Sequence, residues 1–291
     1  MKIMLTGANG QLGSCLQDLA ANSDVFSIIA TDYQELDVTN EQAVSEFVGN
    51  AQPDIIVNAA AHTAVDKAQT EIELATAINA KGPEYLANAA REVGIPTIHV
   101  STDYVFDGTA STPYLPTHPA KPLGVYGETK WQGEEAVRNA LAEHIIIRTA
   151  WVFSEYGNNF VKTMLRLGGE REALGVIADQ YGCPTYAGDL AAAILHCCAQ
   201  IKGGKTAWGS YHHCGDLPTS WHGFTRAILA EGLAQGKLAN AAKLNAIKTE
   251  DYPLPAPRPA YSVMDCGSMF DAWGVGASDW RRALSRVVAK L

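Results

Sequence analysis

Tyr126 and Lys130 stand four residues apart in Tyr126-Gly127-Glu128-Thr129-Lys130, and Ser101-Thr102 closes an apolar run upstream of them. On a helix, positions i and i+4 share a face, so a phenol and an ammonium placed this way can meet one ligand. Such a pair suits proton delivery. A free tyrosine titrates at roughly 10, too high to exchange protons readily near neutrality, and a cation held close favours the phenolate. Lys130 is expected to supply that cation. The spacing alone is common on exposed helices, so its surroundings must decide what it means.

The decisive surroundings lie at the other end of the chain. Gly7-Ala8-Asn9-Gly10-Gln11-Leu12-Gly13 follows the apolar run Ile3-Met4-Leu5 and precedes a plausible helix from Cys15 to Ala20. In a strand, glycine loop, helix sequence the glycines permit a tight turn, let the backbone approach a pyrophosphate and bring helix and strand close. The next apolar run, Val25 to Ala30, ends in Thr31-Asp32. Asp32 lies near the position where an acidic residue binds the adenine ribose hydroxyls, with a solvated strand-end carboxylate as the alternative. Asp32 would repel a ribose 2'-phosphate, and no Arg or Lys occurs from Thr31 to Asn40. The expected cofactor is therefore NADH or NADPH, with NADH slightly favoured.

With 291 residues, 47% hydrophobic and 18% charged, the chain has room for two packed units. A net charge of -9, without a basic run or interleaved aromatic stripe, speaks against nucleic-acid binding. No signal-type segment or membrane-length apolar stretch is evident, so a cytoplasmic location and no membrane partner are expected. The six cysteines show neither C-x-x-C nor a zinc-like spacing with histidine, so reduced thiols and no metal are expected. Adjacent residues on a strand face opposite ways, which makes His212-His213 more plausible as strand residues than as ligands.

Apolar runs at Ile3 to Leu5, Val25 to Ala30, Ile55 to Val57, Thr97 to Val100 and Ile145 to Ile147 alternate with helical patterns at Glu41 to Val48, Ile72 to Val93 and Gly127 to Ala142. This alternation predicts an α/β fold, a doubly wound parallel sheet of the Rossmann type. Asn58-Ala59-Ala60-Ala61-His62-Thr63, after the third run, offers small side chains either to a cofactor or to plain packing. Beyond Trp151 prolines punctuate shorter elements, suggesting a smaller C-terminal substrate-binding domain. Asp189 to Ile201, with Asp189 or Gly188 as N-cap, reads as an apolar helix returning to the sheet. The expected division is residues 1-150 and about 186-203 for the dinucleotide, and 151-185 and 204-291 for the substrate.

Taken in order, the glycine loop, Asn58 to Asp66, Ser101-Thr102-Asp103-Tyr104-Val105-Phe106-Asp107-Gly108 and Tyr126-x-x-x-Lys130 resemble the extended short-chain dehydrogenase/reductases. The chain is similar, more narrowly, to the dTDP-4-dehydrorhamnose reductases among them. Further matches are Arg148 to Val152, Gly157-Asn158-Asn159-Phe160, Asp179 to Thr185 and Arg258-Pro259. The resemblance implies NAD(P)H-dependent reduction of the C4 keto group of dTDP-4-dehydro-L-rhamnose, with a nucleotide sugar as the partner molecule and a possible homodimer. It implies Tyr126 as proton donor, Thr102 as hydrogen-bond donor to the same oxygen, and Lys130 as the group that tunes Tyr126 and holds the cofactor ribose. Gly7, Gly10, Gln11, Leu12 and Gly13 would line the phosphates, Asp32 the ribose, Asp37 and Val38 the adenine, and Ala61, His62 and Thr63 the inner cofactor. Thr102, Asp103 and Trp151 would meet the sugar, and Asn159 and Arg258 the diphosphate. A core role for Trp151 and a surface role for Arg258 stay open. Some relatives bridge dimers through magnesium near the first helix, but Cys15 there is a poor ligand for so hard a cation, and that metal is not expected. An epimerase or 4,6-dehydratase is the sibling alternative, disfavoured because Tyr104 stands where dehydratases place Glu. A non-catalytic NAD(P)-binding regulatory subunit is the other.

Overall fold

The computed structural model describes residues 1–291. The first five strands are the anticipated apolar runs: β1 (Lys2–Thr6), β2 (Ser27–Thr31), β3 (Ile55–Asn58), β4 (Thr97–Thr102) and β5 (His144–Thr149). Their side chains divide by pleat. Ile3, Leu5, Ile55, Val57, Ile145 and Ile147 enter one core, whereas Met4, Ile56 and Ile146 enter the other. Alternate residues point to opposite faces, and both faces are covered, so a strand buried throughout reads as an unbroken apolar run.

Between these strands lie α1 (Gln11–Ala21), α2 (Glu41–Ala51), the short α3 (Val65–Ala68) and α4 (Ile72–Thr76), α5 (Gly82–Val93) and α6 (Val125–Ala140). The single helix expected from Ile72 to Val93 is interrupted by a π-turn over Ala77–Lys81. Pro83 lacks the N–H that would bond the carbonyl of Asn79, so regular winding is lost one turn before it. That carbonyl faces α6, where a Cβ added at Gly133 would lie 2.1 Å from it.

The second half contributes β6 (Val152–Phe153), α7 (Phe160–Glu170), β7 (Ala173–Ile177), β8 (Tyr181–Gly182), β9 (Thr185–Tyr186), α8 (Ala187–Lys202), β10 (Gly209–His212), β11 (Thr219–Ser220), α9 (Trp221–Ala234), β12 (Lys243–Ile247), α10 (Gly267–Trp273) and α11 (Trp280–Lys290). The main sheet runs β10-β5-β4-β3-β1-β2, all parallel. Strand order reverses between β1 and β3, the type of switch point where such sheets hold ligands at their C-terminal ends.

Two features depart from the expected division. Residues 209–212 add an edge strand to the sheet, and Met269 and Trp273 of α10 pack into the same core as α8. Short runs such as Gly209-Ser210-Tyr211-His212 carry too little apolar pattern to reveal their pairing. Helix α8 also starts earlier than expected, capped at Tyr186, while Asp189 in its first turn accepts from Ser278 at 2.6 Å. A separate core of Phe153, Val161, Phe224, Ile228, Trp280 and Leu284 organises the outer lobe.

Candidate active site

The glycine loop turns from β1 into α1 under tight constraint. Gly7 has φ +68°, and a Cβ there would lie 2.7 Å from the Ala60 nitrogen. A Cβ at Gly13 would lie 2.3 Å from the Gly7 carbonyl. These positions exclude larger residues and bring α1 against the sheet, with Gly10 capping the helix through backbone alone. The first N–H groups of α1 are thereby left to a ligand, as pyrophosphate binding requires.

A cleft of about 830 Å³ opens over this loop. Gly7, Gly10, Gln11, Leu12, Gly13, Asp32, Asp37, Val38, Ala61, Thr63, Tyr126 and Lys130 all line it. Asp32 accepts from the Asn9 N–H at 2.9 Å and the Tyr33 N–H at 2.8 Å, which fixes its carboxylate at the end of β2. The residues present therefore fit a dinucleotide: space, bare backbone, a free helix terminus and a carboxylate at the ribose end. His62 is the exception. Its ring pairs with Glu71 at 2.8 Å, and its backbone is clasped on both sides by the Asn79 amide, at 2.8 and 3.1 Å.

Tyr126 and Lys130 project from the first turns of α6. Gly127 between them allows the close approach of this helix, since a Cβ there would meet the Tyr104 carbonyl at 2.1 Å. Tyr104 in turn packs edge-on against Tyr126, with ring centroids 5.3 Å apart. Glu134, two turns along α6, is fully buried and accepts from Arg148 of β5 at 2.9 and 2.7 Å and from Ser101 of β4 at 2.6 Å. Those bonds anchor the helix to the strand ends that carry Thr102.

The electrostatics differ from the expectation that Lys130 depresses the Tyr126 pKa. Burial pushes the phenol up to about 12; the Thr102 hydroxyl pulls it down, and the Asp103 charge pushes it further up. The Lys130 amine instead donates to the Val100 carbonyl at 2.7 Å and sits 3.4 Å from His99 Nε2. Burial lowers Lys130 to about 8, partly offset by Glu134. A tyrosine in this setting is protonated throughout the neutral range, which is the form a proton donor needs.

Thr102 and Asp103 are buried beside the phenol, and the Thr102 hydroxyl donates to Asp103 Oδ1 at 3.0 Å. Asp103 Oδ2 has no partner, and burial raises this carboxyl to about 6. Trp151 has φ +49° and stacks face to face on Trp221, with centroids 3.5 Å apart. It is thus held half-buried in the outer lobe by that stack, the packing role that the sequence left open.

Two residues expected at the diphosphate are engaged elsewhere. Asn159 caps α7, accepting from the Lys162 N–H at 3.2 Å, and its amide donates to Ser154 O at 2.7 Å and Gln11 Oε1 at 3.0 Å. Its neighbour Asn158 faces the cleft instead. Arg258 forms a two-pronged pair with Asp66, both contacts at 2.8 Å. Side-chain type suggested phosphate, but competing protein partners are a tertiary property. Ser101, singled out beside Thr102 in the sequence, lies in the cleft wall, and so does Thr149, which sequence reading missed. Thr149 could have been found from strand pairing, for it lies in register with Thr102 at the sheet's C-terminal edge.

A family model described as the RmlD substrate binding domain matches residues 1–291. The chain is 45% identical over 289 residues to a dTDP-4-dehydrorhamnose reductase of Aggregatibacter actinomycetemcomitans, covering 99% of this chain and 98% of the relative. Among solved structures, a dTDP-4-dehydrorhamnose reductase of Clostridium acetobutylicum superposes with TM-score 0.91 at 38% identity, covering 99% and 98% of the two chains. The enzyme of that name from Bacillus anthracis, solved in complex with NADP, gives TM-score 0.91 at 35% identity, covering 100% and 99%.

Proposed function

This chain belongs to the dTDP-4-dehydrorhamnose reductase family, and from that premise we propose that Tyr126 protonates the sugar oxygen while Thr102 holds it. The reaction is reduction of the C4 keto group of dTDP-4-dehydro-L-rhamnose to dTDP-L-rhamnose, with NAD(P)H as the cofactor. The cofactor supplies the hydride. Residues of the glycine loop and α1 would hold its phosphates, Asp32 its ribose, and Lys130 the far end of the cleft.

What this chain contributes to the chemistry follows from its own groups. As negative charge grows on the ketone oxygen, a buried phenol poised at about 12 becomes the acid that neutralises it. The Thr102 hydroxyl at the end of β4, which donates to Asp103 Oδ1, would add stabilisation by turning that one proton to the ketone oxygen. Tyr104 supports a reductase over a dehydratase, because a phenol packed against Tyr126 occupies the place where elimination would need a carboxyl acid. The lobe beyond Trp151 is read as the grip on the nucleotide sugar.

The observation that carries this reading is the convergence of Tyr126 and Lys130 on the same cleft as the glycine loop. The test is oxidation of NAD(P)H by the pure protein with dTDP-4-dehydro-L-rhamnose, with the product identified by mass and NMR. Tyr126→Phe should lower kcat by about a hundredfold or more while binding cofactor within a few-fold of the wild type. Full turnover in that variant would remove Tyr126 from the proton step.

A further inference from the structure

A row of buried polar groups crosses the sheet beneath the catalytic lysine. Thr6 pairs in register with Asn58, and Asn58 with His99, so the three lie side by side on β1, β3 and β4. All three are at most 2% exposed, and Lys130 above them is 1% exposed. The direction of each hydrogen bond can be assigned from chemistry.

The Asn58 carbonyl oxygen accepts from the Ala60 N–H at 3.1 Å and from the Thr6 hydroxyl at 2.7 Å. A backbone N–H can only donate, so it fixes which end of the Asn58 amide is oxygen. The amide nitrogen then faces His99 Nδ1 at 3.1 Å. That nitrogen carries only hydrogens, so Nδ1 must accept. His99 is neutral, since complete burial drives its pKa well below the usual value, helped by the charges of Lys130, Arg138 and His144. A neutral imidazole whose Nδ1 accepts has its proton on Nε2. Nε2–H therefore points at the Lys130 nitrogen, 3.4 Å away.

An ammonium has no lone pair, so a charged Lys130 meets this N–H donor against donor, whereas a neutral amine would accept from it. We propose that His99, locked as its Nε2–H tautomer by Thr6 and Asn58, is a positioning residue that favours the uncharged form of Lys130 and lets it exchange protons at working pH. The other groups facing Lys130 act differently. Glu134, one turn along α6, favours the ammonium but is itself neutralised by Arg148 and Arg138, and Tyr126, one turn back, is uncharged. The Val100 carbonyl accepts one hydrogen of either form. His99 is thus the neighbour that opposes the charge by hydrogen-bond direction as well as by burial. The functional consequence rests on the reductase reading, whereas the titration behaviour does not.

The test is NMR titration of the full-length protein labelled with ε-13C lysine, with the Lys130 signal assigned by its loss in Lys130→Met. His99→Gln can turn an amide oxygen towards Lys130, and should raise its midpoint by about one pH unit. Asn58→Leu removes the amide that donates to Nδ1 and so frees the tautomer without adding charge, and should raise the midpoint even where the glutamine variant folds poorly. The alkaline limb of kcat/KM should shift with it. Unmoved midpoints in folded variants, with only thermal stability lowered, would reduce the row to a packing device and overturn the proposal. A shifted midpoint in a protein that does not turn over the dTDP-4-keto sugar would sustain the proposal and sink the reductase reading.

Discussion

The glycine-loop wall of the cleft and the lobe beyond Trp151 use their polar groups in opposite ways. On the wall, Gly10 caps α1 without a side chain and so leaves the first N–H groups of the helix open, and Tyr126 and Lys130 reach the cleft from one helical face. Across the cleft, Asn159 is consumed by a helix cap, Arg258 by Asp66, and Trp151 by its stack on Trp221. The difference shows that local geometry decides whether a polar group stays open to the cleft, whereas residue type alone does not. A guanidinium suits a diphosphate well, but it suits a carboxylate equally.

The sharpest way to break this contrast is at Lys130. Lys130→Met should cost about a hundredfold or more in kcat, yet not destabilise the fold. Its pKa is lowered on folding, so the native state disfavours the ammonium; that penalty is fullest below about 8 and fades as pH rises towards 10.5. Thermal melts should therefore show the variant more stable at pH 7, by on the order of 1 to 3 kcal/mol, with the gain shrinking above pH 9. A variant less stable at neutral pH would mean that the buried amine is a structural asset.

Gly127→Ala should come next, since its new Cβ would stand 2.1 Å from the Tyr104 carbonyl and must push α6 off the β4 loop. A loss of roughly tenfold in kcat and about 1 to 3 kcal/mol in urea-derived stability is expected. Unchanged kcat would show that Tyr126 tolerates a shifted helix.

On the substrate side, Asp66 and Arg258 discriminate between two roles. If Arg258 exchanges Asp66 for diphosphate, Asp66→Asn should lower the sugar KM a few-fold and Arg258→Lys should raise it by about tenfold. If the pair only ties the lobes, both variants should lower the melting temperature and leave KM alone. The smallest effect concerns the cofactor: with Asp32 at the ribose end, kcat/KM for NADH should equal or exceed that for NADPH. A strong preference for NADPH would show that another cation reaches the 2'-position.

Much of the inner machinery was legible because it is encoded in short spacings. Strand runs buried on both faces, a glycine loop between strand and helix, and a four-residue phenol-to-amine interval each depend on chain geometry within a few residues. The π-turn before Pro83 was also implicit, though the apolar pattern of Ile72 to Val93 concealed it. Edge strand β10, the first turn of α8 and the departure of His62 from the cleft were not legible, because each depends on partners distant in the chain.

Sequence by itself determined the parallel sheet, the glycine loop between strand and helix, and the four-residue interval that sets Tyr126 and Lys130 on one helical face, since these follow from periodicity and backbone sterics. Only the folded structure decided which way Lys130 turns, that burial dominates at Tyr126, and which tautomer His99 must hold. The reason is physical: desolvation and hydrogen-bond direction depend on every group within a few ångströms, and those groups come from β1, β3, β4 and α6 at once.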